Sequence, residues 1–227
     1  TVDVKNLKTN QEIRKARNQP QKIGVIEKLN ELIIHRGPDS FGSAQLGQST
    51  FAHRRLSILD LSNNASQPMF DDANELLLVF NGEIYNYQEV RKELLSLGHE
   101  FNGSGDTEVL LKSYLQWGEK CVYRLNGMFS FGIYDAKKKL FFAFRDPIGQ
   151  KPFFYSVIDA GLVFSSELRP LLEHPDISNK LENSSIAHYL IYESFPHSTT
   201  PIKNIHKLNP GSQLIYSVEE HKIEIKK

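Results

Sequence analysis

Apolar residues recur at Ile23, Ile26, Leu29 and Ile33, at spacings of three and four, which marks one face of a helix running into His35-Arg36-Gly37-Pro38-Asp39. Pro38 keeps Gly37 out of helical backbone and Asp39 and Ser40 favour turns, so the helix is predicted to stop there. An extended stretch is then expected through Phe51 to Leu59, ending at Asp60. Leu76-Leu77-Leu78-Val79-Phe80 is a continuous apolar run of strand length, the pattern of a strand buried on both faces, and it empties into Asn81-Gly82. Val90, Leu94 and Leu97 return to helical spacing with Gly98 placed for a left-handed cap. A second helix from Asp106 carries Leu110, Tyr114 and Trp117 up to Gly118.

From Gly127 the period changes to two. Phe129, Phe131 and Ile133 alternate, a turn covers Asp135 to Lys139, and Leu140, Phe142 and Phe144 alternate before Asp146-Pro147, so a hairpin is predicted. Phe153 to Val157 and Leu162 to Phe164 form another hairpin around Asp159-Ala160-Gly161. Short helices are expected after Glu167 and near Ser184, and two strands from Gln213 to Ile225 close the chain. Hairpin-connected strands with helices inserted in pairs predict an α+β layered sandwich with mostly antiparallel sheets. No linker, repeat or internal boundary interrupts residues 1–227, so one domain is expected, with residues 1–22 a polar, basic lead-in.

Composition narrows the function classes. With 27 Lys+Arg against 27 Asp+Glu the formal net charge is zero, which leaves no global attraction to nucleic acid or an anionic membrane. Apolar runs fall far short of the about 20 residues that span a bilayer. One cysteine, Cys121, rules out an internal disulfide and any cysteine-based metal cluster, and a reducing cytoplasm is the working expectation. The eight histidines show no metal-ligand spacing, so no metal site is expected. Gly103-Ser104-Gly105-Asp106 lacks the lysine and full glycine pattern of a phosphate loop and reads as a turn before a helix.

Seven blocks, taken together and in order, resemble a known family. They are His35-Arg36-Gly37-Pro38-Asp39-Ser40, His53-Arg54-Arg55-Leu56-Ser57-Ile58, Asn81-Gly82-Glu83-Ile84-Tyr85-Asn86, Gly105-Asp106-Thr107-Glu108, Gly127-Met128-Phe129-Ser130-Phe131, Arg145-Asp146-Pro147-Ile148-Gly149 and Ser165-Ser166-Glu167-Leu168-Arg169. Over about residues 32–227 the chain is similar to the class II glutamine amidotransferase domain of glutamine-dependent asparagine synthetases. The resemblance implies an αββα four-layer sandwich of the N-terminal-nucleophile hydrolase type and hydrolysis of glutamine to glutamate and ammonia.

It also resolves ambiguous residues. Asn-Gly is the strongest two-residue hairpin signal, yet Asn81-Gly82 at a strand end also offers a side-chain amide and a bare N–H to a developing oxyanion, the role the resemblance implies. Arg55 reads as a surface arginine or as a bidentate clamp for a free α-carboxylate, and Asp106 as an N-cap or as the partner of an α-ammonium. The resemblance places Arg55, Leu56, Ser57, Ile58, Leu59, Asn81, Gly82, Glu83 and Asp106 in a glutamine pocket. Arg36 and Asp39 are expected to fix loops near it, and Arg145-Asp146 and Ser166-Glu167 to hold strand ends.

The family's nucleophile is an N-terminal cysteine whose own amine acts as base. This sequence begins Thr1-Val2-Asp3, and neither Thr1 nor Cys121, which has no free amine attached, matches that pattern. Two readings follow: a working glutaminase whose cysteine-bearing strand is missing from the sequence, or a glutaminase-like scaffold or glutamine-binding module without the nucleophile. No ATP-pyrophosphatase segment is present, so ammonia would pass to a synthetase domain in cis or in trans, with ATP and magnesium bound there and no cofactor in this domain. The acceptor is aspartate or, alternatively, another substrate, and a homodimer is left open.

Overall fold

The computed structural model describes residues 20–196 and 198–227. Strand β4 (Leu76–Ile84) lies second from one edge of the large sheet, paired on one side with the short edge strand β3 (Met69–Asp71) and on the other with β5 (Gly127–Asp135). Beyond β5 lie β6 (Leu140–Arg145), β10 (Gln213–Ser217) and β11 (Lys222–Lys226), completing a six-stranded antiparallel sheet. Two smaller sheets pack against it: β1 (Ser40–Leu46) with β2 (Ser49–Arg55), and β7 (Phe154–Ile158) flanked by β8 (Gly161–Ser165) and β9 (His206–Lys207).

Alternation along the central strands separates two cores. Leu76, Leu78 and Phe80 of β4 join Phe129, Phe131, Ile133, Phe142 and Phe144 on the face covered by α3 (Asp106–Trp117). Leu77 and Val79 join Phe51, Tyr134, Phe141, Phe153 and Tyr155 between the sheets. Each such side chain, buried fully, contributes about 1.5–3 kcal/mol, so the sheet's stability rests on both faces being covered. α2 (Tyr87–Ser96) packs beside α3 through Val90, Leu94 and Val109 and ends at the expected place, the Gly98 and His99 N–H groups donating to the Leu95 and Leu94 carbonyls. α1 (Pro20–Glu31) and α4 (Leu168–Leu172) cover the outer side of the small sheets, and α5 (Asn183–Tyr192) follows. The layer order, helices, large sheet, small sheets, helices, is the expected αββα arrangement.

Two boundaries differ from expectation. The stretch through Phe51 to Leu59 is a hairpin that reverses at Gly47-Gln48, with Gly47 at φ 55, and its second strand ends at Arg55. Gly-Gln is a weak turn signal, so the reversal was masked by β-forming neighbours on both sides. Asn81-Gly82 neither ends a strand nor turns a hairpin, because β4 continues through Ile84 in register with Gly127 to Phe129.

Candidate active site

Strands β2 and β8 each carry a ladder partner on one side only among the described residues. Both line a cavity of about 260 Å³, floored by β4 and β5 residues including Asn81 and Ser130 and roofed by Leu29 and Asn30 of α1 and Leu171 of α4. Three residues lining it hold a buried polar atom without a partner among the described residues: Asn30 Oδ1, Thr50 Oγ1 and His53 Nδ1. Each such atom costs about 1–3 kcal/mol, so the slot suits a polar-backboned occupant better than an apolar one. One extended segment between β2 and β8 would satisfy both free edges and join the two small sheets into one.

Asn81 alone of the expected site residues lines this slot, and its Nδ2 donates to Ser166 Oγ at 3.4 Å. The neighbouring His53 fixes the register between layers: Nε2 lies 3.2 Å from the Phe80 carbonyl oxygen, which only accepts, so Nε2 carries the proton. Burial pulls the His53 pKa down to about 4, with the Arg55 charge adding to the effect. At Gly82, φ is 149 and an added Cβ would lie 2.1 Å from the Met128 carbonyl oxygen. Close approach of β5 therefore already demands glycine there, whatever else the position does.

Past the slot, β2 and β4 deliver the other candidates. Arg55 is 8% exposed, its Nη1 donating to the Ser62 carbonyl at 3.1 Å and its Nη2 to the Asp60 carbonyl, which uses two of its five donors. In the intervening loop Leu56 and Ile58 are exposed, Ser57 and Leu59 are half-buried, and the Ser57 N–H donates to Asp39 Oδ2 at 2.8 Å. Asp39 thus ties down the segment after Arg55, and Arg36 reaches Glu167 at 3.2 Å. Asp106 opens α3 without capping it, since Gly105 holds the N-cap position. Its carboxylate instead accepts from the Ile84 N–H at 3.0 Å, binding the helix start to the end of β4. Burial first, and the nearby Glu83 carboxylate second, raise the Asp106 pKa. Neither acid has an ion-pair partner among the described residues.

Cys121 is fully buried against the α3 face of the large sheet, and burial pushes its thiol up to about 12. It is a packed core residue outside the slot lining. Thr1 lies outside the described residues. Among the described residues, no group of three or more His, Cys, Asp or Glu is placed to hold a metal, and no helix is long and apolar enough to cross a membrane. Sequence reasoning missed the slot residue Thr50, placed His53 in a family block without a role, and met Asp60 only as the end of a segment.

Comparison with known proteins bears on this geometry. The family model described as "Glutamine amidotransferase domain" matches residues 13–227, beginning inside the 1–22 lead-in. The chain belongs to this family. It is 36% identical over 199 residues to "Asparagine synthetase [glutamine-hydrolyzing] 3" of Bacillus subtilis, covering 85% of this chain and 32% of the relative. It is also 36% identical over 218 residues to "Putative asparagine synthetase [glutamine-hydrolyzing] 2" of Methanocaldococcus jannaschii, covering 87% of this chain and 42% of that protein. The chain thus spans about a third to two-fifths of the length of these relatives. Among solved structures, the glutamine phosphoribosylpyrophosphate amidotransferase of B. subtilis superposes with TM-score 0.54 at 18% identity, over 78% of this chain and 34% of that one, which shows a shared fold.

Proposed function

We propose that this amidotransferase domain binds free glutamine at the Arg55, Glu83 and Asp106 end of β2 and β4 and hydrolyses its side-chain amide beside Asn81. The observation that carries the reading is the buried Asp106 carboxylate, raised by burial and by the negative charge of nearby Glu83, with no ion-pair partner for either acid among the described residues. An α-ammonium placed there relieves that repulsion, and the unused donors of Arg55 suit the α-carboxylate. Together they distinguish a free amino acid from a glutamine within a chain. Asn81 Nδ2 and the Gly82 N–H are the candidate donors to the oxyanion of the tetrahedral intermediate, worth about 3–4 kcal/mol of barrier per donor. The attacking thiol belongs on an extended segment in the slot between β2 and β8, where a chain start would bring its own amine as base.

In the parent assembly the ammonia would serve ATP-dependent amidation of aspartate, or of another acceptor, on a synthetase domain in cis or in trans. ATP and magnesium would bind there. A second reading, a glutamine-binding module without hydrolysis, is favoured by one observation: the single thiol of the chain is buried away from the slot. Incubating the natural protein with L-glutamine and measuring glutamate and ammonia separates the two. Equimolar release supports hydrolysis, and saturable binding without release supports the module.

A further inference from the structure

Between the two charged ends of the proposed pocket lies a residue to which the glutamine reading gives no role. Asp60 sits at φ 51, in the left-handed region, and its side chain and backbone face different partners. Its carbonyl accepts from Arg55 Nη2. Its Oδ1 accepts from the Ser62 N–H at 3.0 Å and from the Ser62 hydroxyl, which holds the Ser62 carbonyl 3.1 Å from Arg55 Nη1. Its Oδ2 accepts from the Ser104 N–H at 2.6 Å, two residues before Asp106.

The approach of the two loops is built for this contact. A Cβ at Gly103 would lie 2.9 Å from Asp60 Oδ2 and 3.2 Å from the Asn64 Cβ, so a side chain there would displace the Asp60 carboxylate. The Asn102 and Gly103 N–H groups turn instead to the buried Glu108 carboxylate, at 3.0 and 2.7 Å, leaving the Ser104 N–H to Asp60. Asn64 Nδ2 donates to the Asn102 carbonyl at 2.8 Å, a second link between the same loops.

We infer that Asp60 is a positioning residue for substrate recognition, a single carboxylate that sets the spacing between the arginine that takes the α-carboxylate and the aspartate that takes the α-ammonium. The inference rests on the glutamine reading of Arg55 and Asp106. An amide cannot replace the carboxylate, because asparagine has one acceptor oxygen and turns an NH₂ toward one of two N–H donors. Hydrogen bonds to the ionised side chain hold its pKa far below the ordinary aspartate range, the Ser62 hydroxyl contributing most and the Ser104 N–H next. Both contacts therefore persist across the physiological range.

The test is titration of the full chain with L-glutamine and with L-glutamine blocked at either end, as the α-amide or the N-acetyl derivative. Wild-type protein should prefer the free amino acid over both. Asp60→Asn should bind glutamine about tenfold more weakly or worse and lose most of that preference, with an unchanged circular dichroism spectrum. Asn64→Ala, which removes only the companion link, should keep the preference for the free amino acid. A purely structural role would lower affinity for all three ligands alike and leave the ratios intact, which would overturn the inference. So would Asp60→Asn with wild-type affinity and selectivity, an outcome that leaves the glutamine reading standing. Failure of wild-type protein to bind glutamine would remove that reading and the inference with it.

Discussion

His53 Nε2 donates to the Phe80 carbonyl at 3.2 Å, so one side chain of β2 pins the strand of the large sheet from which Asn81 projects. Arg55 lies two residues beyond this pin on β2 and Asn81 one residue beyond it on β4.

The pin sets a pH dependence. Burial lowers the His53 pKa from 6.5 to about 4, so between those values the unfolded chain binds the proton that the folded chain refuses. Stability therefore rises with pH through that window and is lost as pH falls from about 6.5 toward 4, by on the order of 3 kcal/mol. Urea unfolding at pH 7 and at pH 4.5 should show a smaller drop in His53→Gln, whose amide can still donate to Phe80 but does not titrate. An equal drop in both proteins would assign the acid sensitivity elsewhere.

Gly82→Ala is expected to be severe. The new methyl would sit 2.1 Å from a backbone oxygen of β5 and 2.6 Å from the Phe129 Cα, at a position in register with β5 and at φ 149. A loss of about 3 kcal/mol or more is expected in denaturant unfolding, or failure to obtain soluble protein. A drop under about 1 kcal/mol would mean that β4 and β5 separate more easily than this register implies.

Asp146 offers a stability prediction outside the pocket. It is fully buried, and its carboxylate accepts from the Ile148, Gln150 and Lys151 N–H groups at 3.2, 2.9 and 3.0 Å. Its neighbour Arg145 donates to the Lys151, Leu208 and Gly149 carbonyls. Asp146→Asn leaves at least one part-buried N–H facing an NH₂ and should cost on the order of 1 kcal/mol, with glutamine affinity unchanged in the fraction that folds. Thermal melts with and without glutamine check both halves of that statement.

These residues also show what the sequence made legible. Alternation at Phe129, Phe131 and Ile133 and the continuous run at Leu76 to Phe80 announced the central strands, because burial on one or both faces writes itself directly into residue type. Arg145-Asp146 and Arg36 to Asp39 were recognisable as corners, and each ties loops to strand ends as expected. The turn at Gly47-Gln48 was not legible, since its conformation depends on one glycine without a strong partner residue. Nor was the slot: its two edges, on β2 and β8, are defined by which described residues pair with them, and periodicity carries no record of that. Asp60 escaped for a related reason, its partner Ser104 lying 44 positions away.

The Glu83–Asp106 pair predicts how glutamine binding responds to acid. Ionised Asp106 is the form that attracts an α-ammonium, and burial with the Glu83 charge raises its pKa. Affinity should therefore fall with acid, and begin to do so at a higher pH than an ordinary aspartate would require. Asp106→Asn should be weaker throughout and flatter in the same range.

The most direct test of the account is calorimetric titration of L-glutamine into the wild-type chain and into Arg55→Ala and Asp106→Asn at neutral pH. The account predicts saturable one-to-one binding by the wild type and at least about tenfold weaker binding by each variant, both remaining folded. Wild-type affinity in both variants, or no binding by the wild type at millimolar glutamine, would contradict it.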